Sequence, residues 1–306
     1  MQKFKIGHYT NREKGSGCTV ILCPEKTMGS AYARGISPGT REYALLSPYR
    51  KMEEIHALFL TGGSAFGLDA AAGVMQYLSE RGIGYFTPYR RIPIVPAAVI
   101  FDLPVIDSQF YPSAENAYQA CQNAKLGRTE QGTIGAGTGA TIGKWAGIEY
   151  IMKGGVGFSQ QQHGDLSVDV LSVVNPVGDV VNEYNKILAG ASKDGVFLAE
   201  QNSSTQWITP AFSLGNHTIL GAVMTNALLT KQQLYYLTER SHNGIVKSVK
   251  PAHTSYDGDI IFALSTREVE VKIDLLTEMT IEAVRQSIVN AVIHAKSLGG
   301  IPSLRK

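Results

Sequence analysis

Apolar positions recur along this chain with two periods. Short runs rich in β-branched and aromatic residues predict strands at Thr19–Cys23, His56–Thr61, Ile94–Phe101, Ser167–Asn175, Val177–Val181, Thr218–Met224 and Asp259–Ser265. Helical spacing is rarer. Phe66, Ala70, Val74, Tyr77 and Leu78 form one stripe that closes at Gly82, with Ser64 as its expected cap. Ile281, Val284, Ile288 and Val292 form another that ends at Gly299–Gly300. Between them, Thr230-Lys-Gln-Gln233 is a capping-box pattern ahead of Leu234 and Leu237, with Gly244 as the expected stop. The pattern predicts an α+β chain with much sheet. It contains no internal repeat and no linker between dissimilar halves, so a single domain over 1–306 is expected. The softest stretch is polar, turn-rich Gln201–Asn216, directly ahead of the strand pattern at Thr218.

Composition narrows the function classes. With 306 residues, 44% hydrophobic and 18% charged, the chain can bury a sizeable core, and disorder is excluded. A net charge of +2 lacks the surplus that grips a phosphate backbone, so no nucleic-acid partner is expected. The longest apolar runs, Ile55–Leu60 and Ile94–Leu103, fall short of the roughly 20 residues of a spanning helix, so no membrane partner is expected either. The basic N-terminus has no apolar run behind it, which predicts a cytoplasmic protein. Cys18, Cys23 and Cys121 offer no paired set for zinc and read as buried or half-buried thiols. The 32 glycines cluster at Gly132–Gly143 and Gly154–Gly157, where the backbone must turn sharply or approach closely.

Several motifs fail when checked. The glycine-rich block ends in Lys144 but continues with Trp145 where a phosphate loop needs Ser or Thr, and Thr138 stands where its first glycine belongs. A dinucleotide fingerprint on Gly135, Gly137 and Ala140 lacks its acidic ribose ligand, since residues 160–162 are glutamines. The hydrolase elbow spacing around Ser64 is broken by Phe66. The seven histidines show no ligand spacing, and Asp257-Gly-Asp259 alone would hold a metal poorly, so no metal or other cofactor is expected.

Eight ordered blocks carry a resemblance: GSGCTVILCPE, GTREYALL, LTGGSAFGLDAAAGVMQYL, IPIVPAAVIFDL, GAGTGATIGKW, VVNPVGDVV, ILGAVMTNALLTK and PAHTSYDGDIIFALST. From Gly7 to about Thr266 the chain resembles the autoprocessing aminopeptidase/amidase superfamily. That group includes the L-aminopeptidase D-esterase/amidases, the β-peptidyl aminopeptidases and the endo-type 6-aminohexanoate-oligomer (nylon-oligomer) hydrolases. The resemblance implies a four-layer αββα sandwich like that of N-terminal-nucleophile hydrolases. It also implies an inactive precursor that cleaves itself once and uses the new N-terminal Ser or Thr as nucleophile. In the family that residue opens a strand and is followed eight positions on by Asp within Thr-Asp-Ala. Thr218 fits the frame, with Asn226 in place of the Asp between Thr225 and Ala227. Self-cleavage would then give fragments 1–217 and 218–306, which stay associated as one domain within a homo-oligomer. Relatives commonly have Asn or Gly before the nucleophile, whereas His217 stands here.

By the same resemblance, Asp257 and Asp259 match an acidic pair that bonds the nucleophile's amino and hydroxyl groups in the nylon-oligomer branch. Lys144 matches a lysine beside the nucleophile. Asn175 matches an oxyanion-hole asparagine, although on sequence alone it also fits a local turn ahead of Pro176. Phe101 stands where some relatives place a tyrosine. Chemistry supports the assignment of Thr218: its hydroxyl needs an adjacent base, and an α-amino group with a pKa of about 7.7–8.0 becomes one once the preceding peptide is cut. The expected activity is hydrolysis of linear amide bonds in a small amide, peptide or oligomer substrate. An acyl transfer like that of ornithine acetyltransferases, or a catalytically silent binding protein on the same scaffold, are the rival readings.

Overall fold

In the computed structural model, which describes residues 3–127, 129–200 and 217–304, two principal sheets face each other. The chain supplies β1 (Lys5–Asn11), β2 (Ser16–Leu22), β3 (Met28–Ala33), β4 (Thr40–Arg41), β5 (Ala57–Thr61), β6 (Ala97–Val99) and β7 (Lys125–Leu126). It then supplies β8 (Gly155–His163), β9 (Leu166–Asn175), β10 (Thr218–Ala227) and β11 (Ile260–Val269). The first sheet runs β4-β6-β5-β2-β1-β7 and the second β8-β9-β10-β11-β3. In the second, β9 and β10 are antiparallel while β10 and β11 are parallel.

Alternation along the strands builds three apolar layers. Leu171, Val173, Leu220, Ala222, Met224, Ile260, Phe262 and Leu264 meet Ile21, Leu58, Leu60 and Ala98 of the first sheet in the layer between the sheets. The opposite face of the second sheet, with Val170, Val174, Ile219, Val223 and Ile261, is covered by α3 (Lys231–Val246) and α4 (Ile273–Ile293). The outer face of the first sheet, with Cys18, Val20 and Phe59, is covered by α1 (Ala71–Glu80) and α2 (Ala114–Gln122). This is the expected αββα sandwich. Burial of each large aliphatic or aromatic side chain in these layers is worth about 1.5–3 kcal/mol, so the layers hold the sheets together.

Local departures have local causes. The run at Ile94–Phe101 contributes only Ala97–Val99 to a sheet, because Pro93 and Pro96 have no N–H to donate. Ser64 does not cap: Gly63, at φ 84°, is the N-cap of a short helix, and no side chain caps it. Phe66 is exposed and stacks on Tyr111 rather than joining the core stripe. The Thr230–Gln233 capping box forms, yet α3 runs past Gly244. A Cβ there would lie 2.6 Å from the Ile281 carbonyl oxygen and from Val284 Cβ, so this glycine lets α3 and α4 approach closely rather than ending a helix. The stretch 201–216 lies outside the described residues. The three cysteines are free, two buried and Cys23 half-buried. No helix among the described residues is long and apolar enough to cross a membrane.

Candidate active site

Three strand ends of the second sheet meet at one place: the last residue of β9, the first of β10 and the approach to β11. Asn175 pairs with Thr218 across the antiparallel ladder, and His217 forms a parallel bridge with Asp257. By the alternation of β10, Thr218 lies on the same face as Leu220, Ala222 and Met224, at the rim of the layer between the sheets, and it is 3% exposed. By the alternation of β9, Asn175 shares that face with Leu171 and Val173 and is fully buried.

Backbone geometry around Thr218 is specific. The His217 amide donates to the Tyr256 carbonyl at 3.0 Å, and the His217 carbonyl accepts from the Gly258 amide at 2.6 Å. Gly258 sits so close that a Cβ built on it would lie 3.0 Å from Thr218 Oγ1 and would collide with the Ser37 carbonyl. Only glycine fits between the turn and the threonine hydroxyl. The peptide bond linking His217 to Thr218 thus already has an N–H donor on its carbonyl oxygen.

The carboxylates frame the same point from one turn. Asp259 Oδ1 accepts from the Ile219 amide at 2.7 Å, and its Oδ2 lies 2.7 Å from His253 Nδ1. Asp257 Oδ1 accepts from the Val177 amide at 3.3 Å, and its Oδ2 accepts from the Thr254 amide and hydroxyl at 2.7 and 2.6 Å. Burial, and then the neighbouring Asp259, hold the Asp257 carboxyl above the usual carboxylate range.

Lys144 and Asn175 form one unit. Lys144 Nζ donates to the carbonyls of Thr141 (2.8 Å), Asn175 (2.9 Å) and Pro176 (3.3 Å) and to Asn175 Oδ1 (2.9 Å). Asn175 Oδ1 also accepts from the Thr141 amide at 3.0 Å, and Nδ2 donates to the Phe101 carbonyl at 3.4 Å. Asn175 is therefore a strand residue with long-range partners rather than a local turn. Burial pushes the Lys144 ammonium well below the usual lysine range, and the Asp257 charge opposes that shift. Gly143, at φ 72°, supplies the left-handed step that turns the glycine-rich block into Lys144.

A cavity of about 180 Å³ opens beside this cluster. Lys144, His217, Thr141 and Phe101 belong to its lining, and Val105, Ile148, Ile151 and Ile301 supply apolar wall. Burial together with the Lys144 charge keeps the His217 imidazole far below its ordinary range, so it is neutral.

Some polar residues here were not singled out from the sequence. Asp102 lines the cavity, accepts from the Gly63 amide and the Ser16 hydroxyl, and is pushed up to about 6 by burial. Lys153 is fully buried, donates to the Thr138 and Ala140 carbonyls, and is lowered by burial to about 7. His253 carries the bond to Asp259. The one sequence signal for the last was its place in PAHTSYDGD, four residues ahead of the acidic pair. Among the described residues no three His, Cys, Asp or Glu side chains group as metal ligands. Asn226 lies at the far end of β10, where it bonds the Ser167 amide and the Asp165 carbonyl and so ties down the β8–β9 hairpin.

The chain is similar to known proteins along almost its whole length. It is 34% identical to an uncharacterised aminopeptidase of Mycobacterium tuberculosis over 98% of this chain and 94% of that one. It is 30% identical to the 6-aminohexanoate-oligomer endohydrolase of Paenarthrobacter ureafaciens, over 87% of this chain and 74% of that one. In fold it resembles a Burkholderia β-aminopeptidase, with a TM-score of 0.75, 18% identity, and 98% and 88% of the two chains covered. It also resembles the L-aminopeptidase D-Ala-esterase/amidase of Ochrobactrum anthropi, described as a variant of the Ntn hydrolase fold, with a TM-score of 0.74, 19% identity, and 98% and 86% covered. The profile of peptidase family S58 matches residues 2–304, and the chain belongs to that family of amide-bond hydrolases.

Proposed function

We propose that the protein is an autoprocessed amidohydrolase that cuts itself between His217 and Thr218 and then uses Thr218 as its N-terminal nucleophile. The observation that carries this reading is the Gly258 amide on the His217 carbonyl oxygen at 2.6 Å, with the Thr218 hydroxyl packed against the same glycine. In the first reaction Thr218 Oγ1 attacks the His217 carbonyl carbon, and the developing oxyanion stays on the Gly258 N–H. The C–N bond breaks as the Oγ1 proton passes to the Thr218 nitrogen, and an ester links His217 to Oγ1. Water hydrolyses that ester, leaving a His217 carboxylate and a free Thr218 amine. Fragments 1–217 and 218–306 stay together because β10 of the second lies between β9 of the first and β11.

In turnover the freed α-amino group takes the Oγ1 proton as the hydroxyl attacks a substrate amide, then delivers it to the leaving amine. The Gly258 amide, relieved of His217, serves the substrate oxyanion, and Asn175 is the second candidate donor. Lys144 holds Asn175 Oδ1 and the Phe101 carbonyl takes one Nδ2 hydrogen, which leaves the second Nδ2 hydrogen for the oxyanion. Asp259 fixes the start of β10, and Asp257 adds negative charge close to Lys144 and the new ammonium. Water then releases the acyl group from Oγ1.

The substrate is a linear amide. The endohydrolase relative acts on 6-aminohexanoate oligomers by its name, and the apolar cavity walls suit an unbranched aliphatic or short peptide acyl chain. Purified protein should hydrolyse at least one member of a panel of p-nitroanilides, β-peptides and aminohexanoate oligomers. Thr218→Ser should keep measurable activity and Thr218→Ala should lose it. Full activity in Thr218→Ala overturns the reading.

A further inference from the structure

We infer that His253 is a positioning residue for the amide-cleaving reaction, holding Asp259 against the strand that carries the nucleophile. The inference rests on the reading of Thr218 given above. Asp259 accepts two hydrogen bonds: Oδ1 takes the Ile219 amide, the first backbone N–H after Thr218, and Oδ2 takes His253 Nδ1, each at 2.7 Å. The first bond ties the carboxylate to β10. The second fixes its rotation, because a carboxylate held at one oxygen alone still turns about its own axis. The Nδ1 atom must carry the proton, since a carboxylate oxygen only accepts.

Two features of His253 coincide. Its backbone is left-handed, at φ 54°, a conformation that strains a non-glycine residue. Its Nε2 is buried and has no hydrogen-bond partner among the described residues, which is unfavourable for a polar atom. The side chain is only 10% exposed. Among the described residues, the one hydrogen bond that the ring makes is the one to Asp259. The nearby imidazole offers no replacement structural role: His242 on α3 packs with its ring centre 5.1 Å from that of His253 and uses Nε2 to donate to the Tyr32 carbonyl. A left-handed backbone and a nitrogen with no partner among the described residues thus coincide at one residue whose bonded atom faces the catalytic cluster.

Two variants separate positioning from packing. Asn at 253 tolerates the left-handed backbone and can put an amide N–H close to the place of Nδ1. Gly at 253 relieves the backbone and supplies no donor. Self-cleavage rate, kcat and KM for a responsive p-nitroanilide are measured on the full-length chain for wild type, His253→Asn, His253→Gly and Thr218→Ala. The expected result is a loss of about tenfold or more in self-cleavage and kcat for His253→Gly with KM within about twofold, and recovery to within about threefold of wild type in His253→Asn. Equal losses in both variants, or a wild-type kcat in His253→Gly, overturn the inference. An active Thr218→Ala would instead overturn the nucleophile assignment on which it rests, so the two failures are told apart.

Discussion

Strand β10 has a threonine near each end, and the two ends use polar groups in opposite ways. At the C-terminal end the Thr225 hydroxyl donates to the Ser167 carbonyl at 2.8 Å, and Asn226 spans the Ser167 amide and the Asp165 carbonyl. Each group there has a neutral backbone partner, and the effect is to lock the β8–β9 hairpin against β10. The N-terminal end, where Thr218 lies, gathers groups that burial disfavours: a lysine held well below its usual range, a carboxyl held above its own, and a buried histidine nitrogen with no partner among the described residues. The same residue type in the same strand has satisfied backbone partners at one end and groups that burial perturbs at the other, which is where the proposed nucleophile lies. A fold that needed only stability would resemble the first end at both.

Substitutions at the two ends should therefore separate activity from stability. The largest effect after loss of the nucleophile is expected in Asn175→Ala, which removes an oxyanion donor and the acceptor that steadies Lys144. Its kcat should fall on the order of a hundredfold, checked by steady-state hydrolysis, and unchanged hydrolysis would remove Asn175 from the oxyanion role. Asp259→Ala should slow both self-cleavage on a gel time course and turnover, by about tenfold or more, because one hydroxyl serves both reactions. Turnover lost with processing intact would mean that the two reactions use different groups. Ile301→Ala, in the cavity wall, should raise KM several-fold and leave kcat within about twofold. Asn226→Ala should leave kcat untouched and cost about 1–2 kcal/mol in denaturant unfolding, and a catalytic defect there would break the contrast between the two ends.

The smallest effect concerns pH. Burial raises the Asp179 carboxyl to about 7, opposed by the Ala191 amide and the Trp145 indole, and its Oδ2 has no described partner. Its folded pKa lies above the unfolded value of about 3.9, so the folded state binds more protons between about pH 4 and 7. That contribution is fully present below pH 4 and is lost as pH rises through 7. The Tm of Asp179→Asn relative to wild type should therefore climb between pH 5 and pH 8. Parallel Tm curves would show that the carboxyl does not titrate in this window.

How much of this was legible in the sequence follows from which interactions are local. The strands that carry Asn175 and Thr218 stood out because their apolar runs are buried on both faces. Strand β8 did not, since it opens on glycines and ends in Gln160–His163, where polar residues hide the period. Helix α2 was missed because its buried face is small, made of Ala117, Ala120 and Cys121. Thr218, Asp257, Asp259, Lys144 and Asn175 were named from family motifs, and they lie at three adjoining strand ends and one glycine-rich turn. The Gly258 amide, His253 and the buried Asp102 and Lys153 were not named. Backbone donors have no side-chain signature, the partners of Asp102 come from segments far apart in the chain, and nothing in the sequence marks which turn brings His253 onto Asp259.

The central claim is that the chain divides between His217 and Thr218. Intact mass spectrometry of the purified protein, with N-terminal sequencing of the smaller piece, tests it directly. Two chains of 217 and 89 residues are predicted, roughly 23–24 and 9–10 kDa by share of the 33.1 kDa precursor, with the smaller beginning Thr-Ile-Leu-Gly and Thr218→Ala remaining whole. A wild-type chain that stays at full length while fully hydrolysing its substrate would contradict the account.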